Sequence, residues 1–180
     1  MKTVIVFESM FGNTERFARE MVRGFAGVGH QVALVDVRHV RPEDVQECDL
    51  LVVGAPTHAF SLSRPGTRQD AVAKGADPAH AAPGVREWLT TLDAGAPSGQ
   101  ARPVVAVFDS RVTKVRHLPG SAARRAVRIL RARGFEVLDD TRSFYVVDTT
   151  GPPAPGECTR ARAWAAGLAP QVVARPSPVA

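Results

Sequence analysis

The chain has 180 residues, 44% of them hydrophobic and 23% charged, with a net charge of +5 and two cysteines. That is enough apolar material for the core of one domain and excludes global disorder. No apolar run approaches the roughly 18 residues of a membrane-spanning helix, and the opening apolar run ahead of Glu8 is too short for a secretory signal. Cys48 and Cys158 lie far apart with no metal-ligand spacing, so the expected compartment is a reducing cytoplasm. Residues 1–90 carry 10 basic and 11 acidic side chains and residues 91–180 carry 13 and 7, so the positive charge is concentrated in the second half.

Thr3 to Phe7 reads as a fully buried strand, short and β-branched. A helix follows with Phe17, Met21, Val22 and Phe25 on one face and Arg16, Arg19, Glu20 and Arg23 outside, stopped by Gly27 and Gly29. Gln31 to Val37 is a second strand, Pro42 to Glu47 a short helix, and Leu50 to Gly54 a third strand. The stretch Ser61 to Ala82 is polar and shows no convincing periodicity, so it is expected to be a long loop. Pro83 suits a first helical turn, ahead of a face formed by Val85, Trp88, Leu89 and Leu92. Val104 to Phe108 is a fourth strand. Ser121 caps a helix with Ala123, Ala126, Val127 and Leu130 inside and Gly134 at its end. Phe135 to Leu138 and Ser143 to Val147 form two parts of a fifth strand, and a last helix presents Ala161, Trp164, Ala165 and Leu168. The domain is expected to span residues 1–173, with residues 174–180 a frayed tail.

This alternation predicts an α/β fold, a parallel sheet covered by helices on both faces. Such sheets bind ligands beyond the C-terminal ends of their strands, where the strand order reverses. After strand one, Glu8-Ser9-Met10-Phe11-Gly12-Asn13-Thr14-Glu15 runs into a helix. Hydroxyls, a glycine and a positive helix end make an anion site, and a phosphate monoester held by neutral donors fits it best. The loop has neither the Lys of a nucleotide-hydrolase loop nor a dinucleotide fingerprint. A plain helix cap is the simpler alternative. After strand three, Gly54-Ala55-Pro56-Thr57-His58-Ala59-Phe60 suits the edge of a flat heterocycle, with Phe60 against a ring face and Thr57 hydrogen-bonding a ring atom. After strand four, Asp109-Ser110-Arg111 adds a third loop. There Arg111 would favour an anionic reduced ring, unless it forms an ion pair with Asp109.

Ser9-Met10-Phe11-Gly12-Asn13-Thr14 resembles the flavodoxin phosphate loop, [ST]-x-[TS]-G-x-T, and sits between the first strand and first helix as that motif requires. Gly54 to His58 resembles the first flavin loop of flavodoxin-like proteins, and Asp109 to Arg111 falls where their second flavin loop lies. The resemblance spans roughly residues 3–170. It implies a five-stranded parallel sheet in the order 2-1-3-4-5 with FMN as the cofactor. Ser9, Met10, Phe11, Gly12, Asn13 and Thr14 would hold the phosphate, while Pro56, Thr57, His58, Ala59, Phe60, Asp109, Ser110 and Arg111 would face the isoalloxazine. Three features differ from the family pattern. Phe11 replaces a small hydroxyl residue, Phe60 is the only aromatic residue in the two flavin loops, and the sequence pI is near 10 where most flavodoxins are acidic.

The resemblance implies an electron carrier that exchanges electrons with a reductase and an acceptor protein, here ones with an acidic docking face. An alternative is an FMN-dependent NAD(P)H:quinone oxidoreductase in which Arg64 and Arg68 recognise a phosphorylated nicotinamide. A third reading is a flavin-free interaction module using the helix that carries Arg124, Arg125, Arg128, Arg131 and Arg133. Nucleic acid is not expected as a partner, because no aromatics are interleaved with these arginines. Nor is a membrane, and the chain is expected to be a monomer or weak dimer.

Overall fold

A computed structural model describes residues 1–46, 48–92 and 102–173. Five strands form one parallel sheet: β1 (Lys2–Phe7), β2 (Gln31–Asp36), β3 (Leu50–Pro56), β4 (Val104–Val112) and β5 (Arg142–Val146). Their order is β2-β1-β3-β4-β5, as expected, and the order reverses between β1 and β3. Six helices accompany them: α1 (Asn13–Ala26), α2 (Pro42–Gln46), α3 (Pro65–Ala73), α4 (Val85–Thr91), α5 (Ala122–Ala132) and α6 (Glu157–Val173).

The side-chain period of a strand divides the core into two layers. Val4 and Val6 of β1, Leu51 and Val53 of β3, and Val105 and Val107 of β4 face one layer, which also holds Val85 and Leu89 of α4 and Ala123, Ala126 and Leu130 of α5. Ile5 and Phe7, Leu50 and Val52, and Ala106 and Phe108 point the other way, onto Phe17, Met21 and Phe25 of α1 and Ala161, Trp164 and Leu168 of α6. The aromatic rings of Phe108, Phe144 and Trp164 meet edge to face in this second layer. Helices α1 and α6 touch closely at Gly24, where a Cβ would run into the Arg162 carbonyl. Burial on both faces explains the apolar runs at residues 4–7 of β1, 50–53 of β3 and 104–108 of β4.

Four sequence expectations need revision. Residues 61–82 are not an aperiodic loop but contain α3 and a 3-10 turn at Pro78–Ala81. Strand β4 continues past Phe108 to Val112, so Asp109, Ser110 and Arg111 lie in the strand, paired with Ser143, Phe144 and Tyr145 of β5. The segment Phe135 to Leu138 joins the sheet only through a bridge between Val137 and Val105, and β5 proper begins at Arg142. Pro83 precedes the cap of α4, Gly84, and is not in the first turn. The end of the expected short helix at Glu47 and the tail from residue 174 lie outside the described residues.

Cys48 is buried, which pushes its thiol up to about 12 and leaves it unreactive. Among the described residues no helix is long and apolar enough to cross a membrane.

Candidate functional site

At the C-terminal edge of the sheet, over the reversal between β1 and β3, lies a cleft of about 330 Å³. It is built from the ends of four strands and from α3. The β1–α1 loop contributes Ser9, Met10, Phe11, Asn13 and Thr14, and the β3 end contributes Pro56, Thr57, His58 and Ala59. The end of β4 contributes Ser110, Arg111 and Val112, and the outer end of β5 and its loop add Val146 and Thr149. Helix α3 closes it, through Thr67, Asp70, Ala71 and its C-cap residue Lys74.

The β1–α1 loop reaches α1 through Gly12, whose φ of 77° is the left-handed conformation that glycine tolerates. No side chain caps the first turn of α1 from the cap position; the Glu15 N–H reaches only Ser9 Oγ, at 3.4 Å. The positive end of this 14-residue helix is thus left towards the cleft. Two buried hydrogen-bonding side chains stand beside it. Thr14 Oγ1 is 2.7 Å from Ser110 Oγ, tying the loop to β4. Asn13 is cradled by Gly151, where a Cβ would collide with the Asn13 amide.

His58 to Ser61 forms a tight turn closed by two backbone hydrogen bonds, from His58 N–H to Ser61 C=O and back. Its central residues, Ala59 and Phe60, both adopt positive φ, 45° and 63°, although neither is glycine. Such backbone strain is typical of ligand sites. Burial holds His58 below its ordinary pKa, a hydrogen bond to the Thr67 backbone opposes this, and the nearby Arg68 and Lys74 charges add to the lowering. The ring is therefore neutral at pH 7.

Eleven of the fourteen residues expected at the site line this cleft. Gly12, Phe60 and Asp109 do not. Gly12 is the cap that turns the chain. Phe60 lies at the rim, 46% exposed, with its backbone against Gly120. Asp109 is fully buried and points away, its Oδ2 accepting the Ala123 N–H of α5 at 2.9 Å. The possible ion pair of Asp109 with Arg111 does not form. Arg111 instead donates from Nη2 to the Val115 and Leu118 carbonyls, at 2.6 and 3.2 Å. Thr57 is partly committed as well, because its Oγ1 accepts the Ala122 N–H.

The α3 wall was missed in the sequence. Pro65 opens the helix, and the Thr67 hydroxyl accepts the Arg64 N–H and donates to the Arg64 carbonyl. Ala71 packs with Ala76 and Met10, and Phe11 closes the cluster. Phe11, unusual in such a loop, packs against the Met10–Ala71–Ala76 contact that seats α3 on it. Arg68, on the other side of the helix, is 2% exposed and donates to Glu87 and Ser63. This fixes α3 to α4 and removes Arg68 as a candidate for nicotinamide recognition.

A doubly wound sheet with an open helix N-terminus at its switch point is the architecture in which α/β proteins bind ligands beyond the strand ends. The flavodoxin family model matches residues 5–164, and the chain belongs to the flavodoxin family. Its members bind FMN and pass electrons to partner proteins. Among solved structures, oxidised flavodoxin 2 from Bacillus cereus is 21% identical, with a TM-score of 0.67 over 95% of this chain and 99% of that one. A flavodoxin from the domain Archaea is 17% identical, with a TM-score of 0.64 over 96% and 99%. The flavodiiron core of a Synechocystis protein matches 96% of this chain but only 36% of its own length, at 17% identity and a TM-score of 0.61. No curated protein sequence matches the chain. At these identities the structural likeness speaks for the fold.

The residues present fit the family cofactor. The loop offers hydroxyl, amide and helix-end donors to a phosphate, the cleft has the size of a small cofactor site, and Arg111, one of its walls, keeps a buried Nε without a protein partner.

Proposed function

We propose that the protein is an FMN-dependent electron carrier, with Ser9, Asn13 and Thr14 at the phosphate and Pro56, Thr57, His58, Ala59, Ser110 and Arg111 around the ring system. The observation that carries this reading is the open N-terminus of α1 in a cleft that four strand ends and α3 enclose. Bound FMN supplies the electron chemistry, and the chain supplies binding, orientation and electrostatics. The uncapped helix end and the loop hydroxyls neutralise phosphate charge without a cation in the loop. Neutral His58 adds a polar edge without adding charge. Arg111 holds a fixed positive charge beside the ring system and raises the reduction potential, in contrast to the acidic surroundings of most flavodoxins.

The partner chemistry follows from the charge. Arg124, Arg125 and Arg128 are exposed along α5, the half-buried Arg86 feels the charges of Arg125 and Arg64, and Leu118 and Phe60 are exposed. Exposed arginines of this kind suit an acidic redox protein, steered by complementary potential.

The second reading, an NAD(P)H:quinone oxidoreductase, is favoured by one observation: α3 makes the cleft deeper than three loops alone would. The test begins with the visible spectrum of the purified protein and an FMN titration. Bands near 370 and 450 nm or saturable FMN binding support a flavoprotein, and their absence overturns it. NADPH oxidation with a quinone and no added reductase would replace the carrier by the enzyme.

A further inference from the structure

The four α3 residues that line the cleft, Thr67, Asp70, Ala71 and Lys74, follow the i, i+3, i+4, i+7 spacing of a single helix face. A face of this kind normally carries apolar residues into a core. Here it carries only one buried residue, Ala71, which seats the helix on Met10, and its other three positions are polar. The helix therefore turns a polar stripe to the cleft and is fixed through the buried Arg68 and its bonds to Glu87 and Ser63.

Three side chains with full charges line the cleft: Asp70, Lys74 and Arg111. The Arg111 guanidinium is held on the β4 side by the Val115 and Leu118 carbonyls. Lys74 stands on the opposite wall, on the same helix face as the Ala71 contact with the phosphate loop. Among the described residues it makes no ion pair, and its charge is felt by the half-buried ring of His58. The phosphate loop itself contains hydroxyl, amide and backbone donors but no cation. A flexible ammonium is suited to a phosphate as a point charge.

We propose that Lys74 supplies the cationic contact to the 5′-phosphate of FMN, so that preference for the phosphorylated flavin is set from α3 as well as from the Ser9–Thr14 loop. The inference rests on the FMN reading above. Its structural alternative is that Lys74, at the C-cap of α3, only complements the helix dipole.

The experiment is a pair of titrations, FMN and riboflavin, against the wild-type protein, Lys74→Met and Lys74→Arg at low and moderate salt, with thermal melts of the flavin-free proteins. Riboflavin lacks the phosphate and reports everything else about the cleft. The expected result is FMN binding about tenfold weaker in Lys74→Met, riboflavin binding within twofold of wild type, a shallower salt dependence for FMN, and recovery of most of the affinity in Lys74→Arg. Unchanged FMN binding, or equal losses for FMN and riboflavin, overturns the role of Lys74 while leaving the FMN site intact. A lower melting temperature in Lys74→Met with unchanged flavin affinities assigns the residue to the helix dipole instead. Wild-type protein that binds neither flavin overturns the FMN reading and this inference with it.

Discussion

Helices α1 and α5 both begin at the C-terminal edge of the sheet, yet their N-termini are treated in opposite ways. In α5 the first three N–H groups are each taken by a different side chain. Thr57 Oγ1 accepts from Ala122 at 2.9 Å, Asp109 Oδ2 from Ala123 at 2.9 Å, and Ser121 Oγ from Arg124 at 3.2 Å. The caps come from β3, β4 and the helix's own cap position, so α5 is tied to the sheet. In α1 the cap is a glycine with no side chain to offer. Both helices carry the same dipole, but only α1 leaves its positive end for a ligand. A good capping sequence marks structure here, and a poor one marks the site.

Substitutions at the two helices should therefore separate stability from binding. The largest effect is expected for Asp109→Ala, which leaves the buried Ala123 N–H without an acceptor. Urea unfolding should show a loss of roughly 2 kcal/mol, and Asp109→Asn, which keeps an acceptor, should recover much of it. Thr14→Val tests the open end. It removes a hydroxyl from the cleft and should weaken FMN about tenfold, or about 1.4 kcal/mol. Equal FMN affinity for Thr14→Val and wild type would mean that α1 is not the phosphate site.

The same contrast explains what could be read in the sequence. Strands β1, β3 and β4 were legible because burial on both faces gives each a continuous apolar run, residues 104–108 in β4. Helices α1 and α5 were legible from their apolar stripes, and Ser121 from its position before one. Helix α3 was not, because periodicity methods look for an apolar face and this helix turns Thr67, Asp70 and Lys74 to the cleft. The signal was present as a polar stripe at helical spacing after Arg64-Pro65. The extent of β4 was misjudged for a related reason. Asp109, Ser110 and Arg111 read as loop chemistry, yet all three are buried in a strand, each with a polar partner: Ala123 of α5, Thr14 of α1 and the Val115 carbonyl. Eleven of the fourteen expected residues still converge on one cleft, because the strand ends bring them there whether the chain is extended or looped.

Ser121→Ala offers a smaller test of the closed end. Ser121 is buried and supplies one of the three caps of α5, so its loss should cost about 1 kcal/mol. FMN affinity should not change, since Ser121 does not line the cleft. A loss of FMN binding that matched the loss of stability would show that the two helix ends are coupled through Thr57 and Ser110.

His58 sits between the two regions, next to Thr57 on one side and the α3 wall on the other, and its titration gives the smallest expected effect. Burial places its folded-state pKa below the ordinary 6.5, with Arg68 and Lys74 lowering it further and Asp70 and the hydrogen bond to the Thr67 backbone opposing. Between that lowered value and 6.5 the unfolded chain binds the proton and the folded chain does not, so stability rises with pH through this window. The contribution is complete above pH 6.5 and is lost as the pH falls through the folded-state value. Urea midpoints from pH 7.5 to 5 should show this as a shallow fall that His58→Gln flattens, after allowance for other groups in both proteins. Identical slopes for the two proteins would mean that the His58 ring is already solvated. The turn it anchors would then be held by the Ser61 backbone bonds and the packing of Phe60 on Gly120 alone.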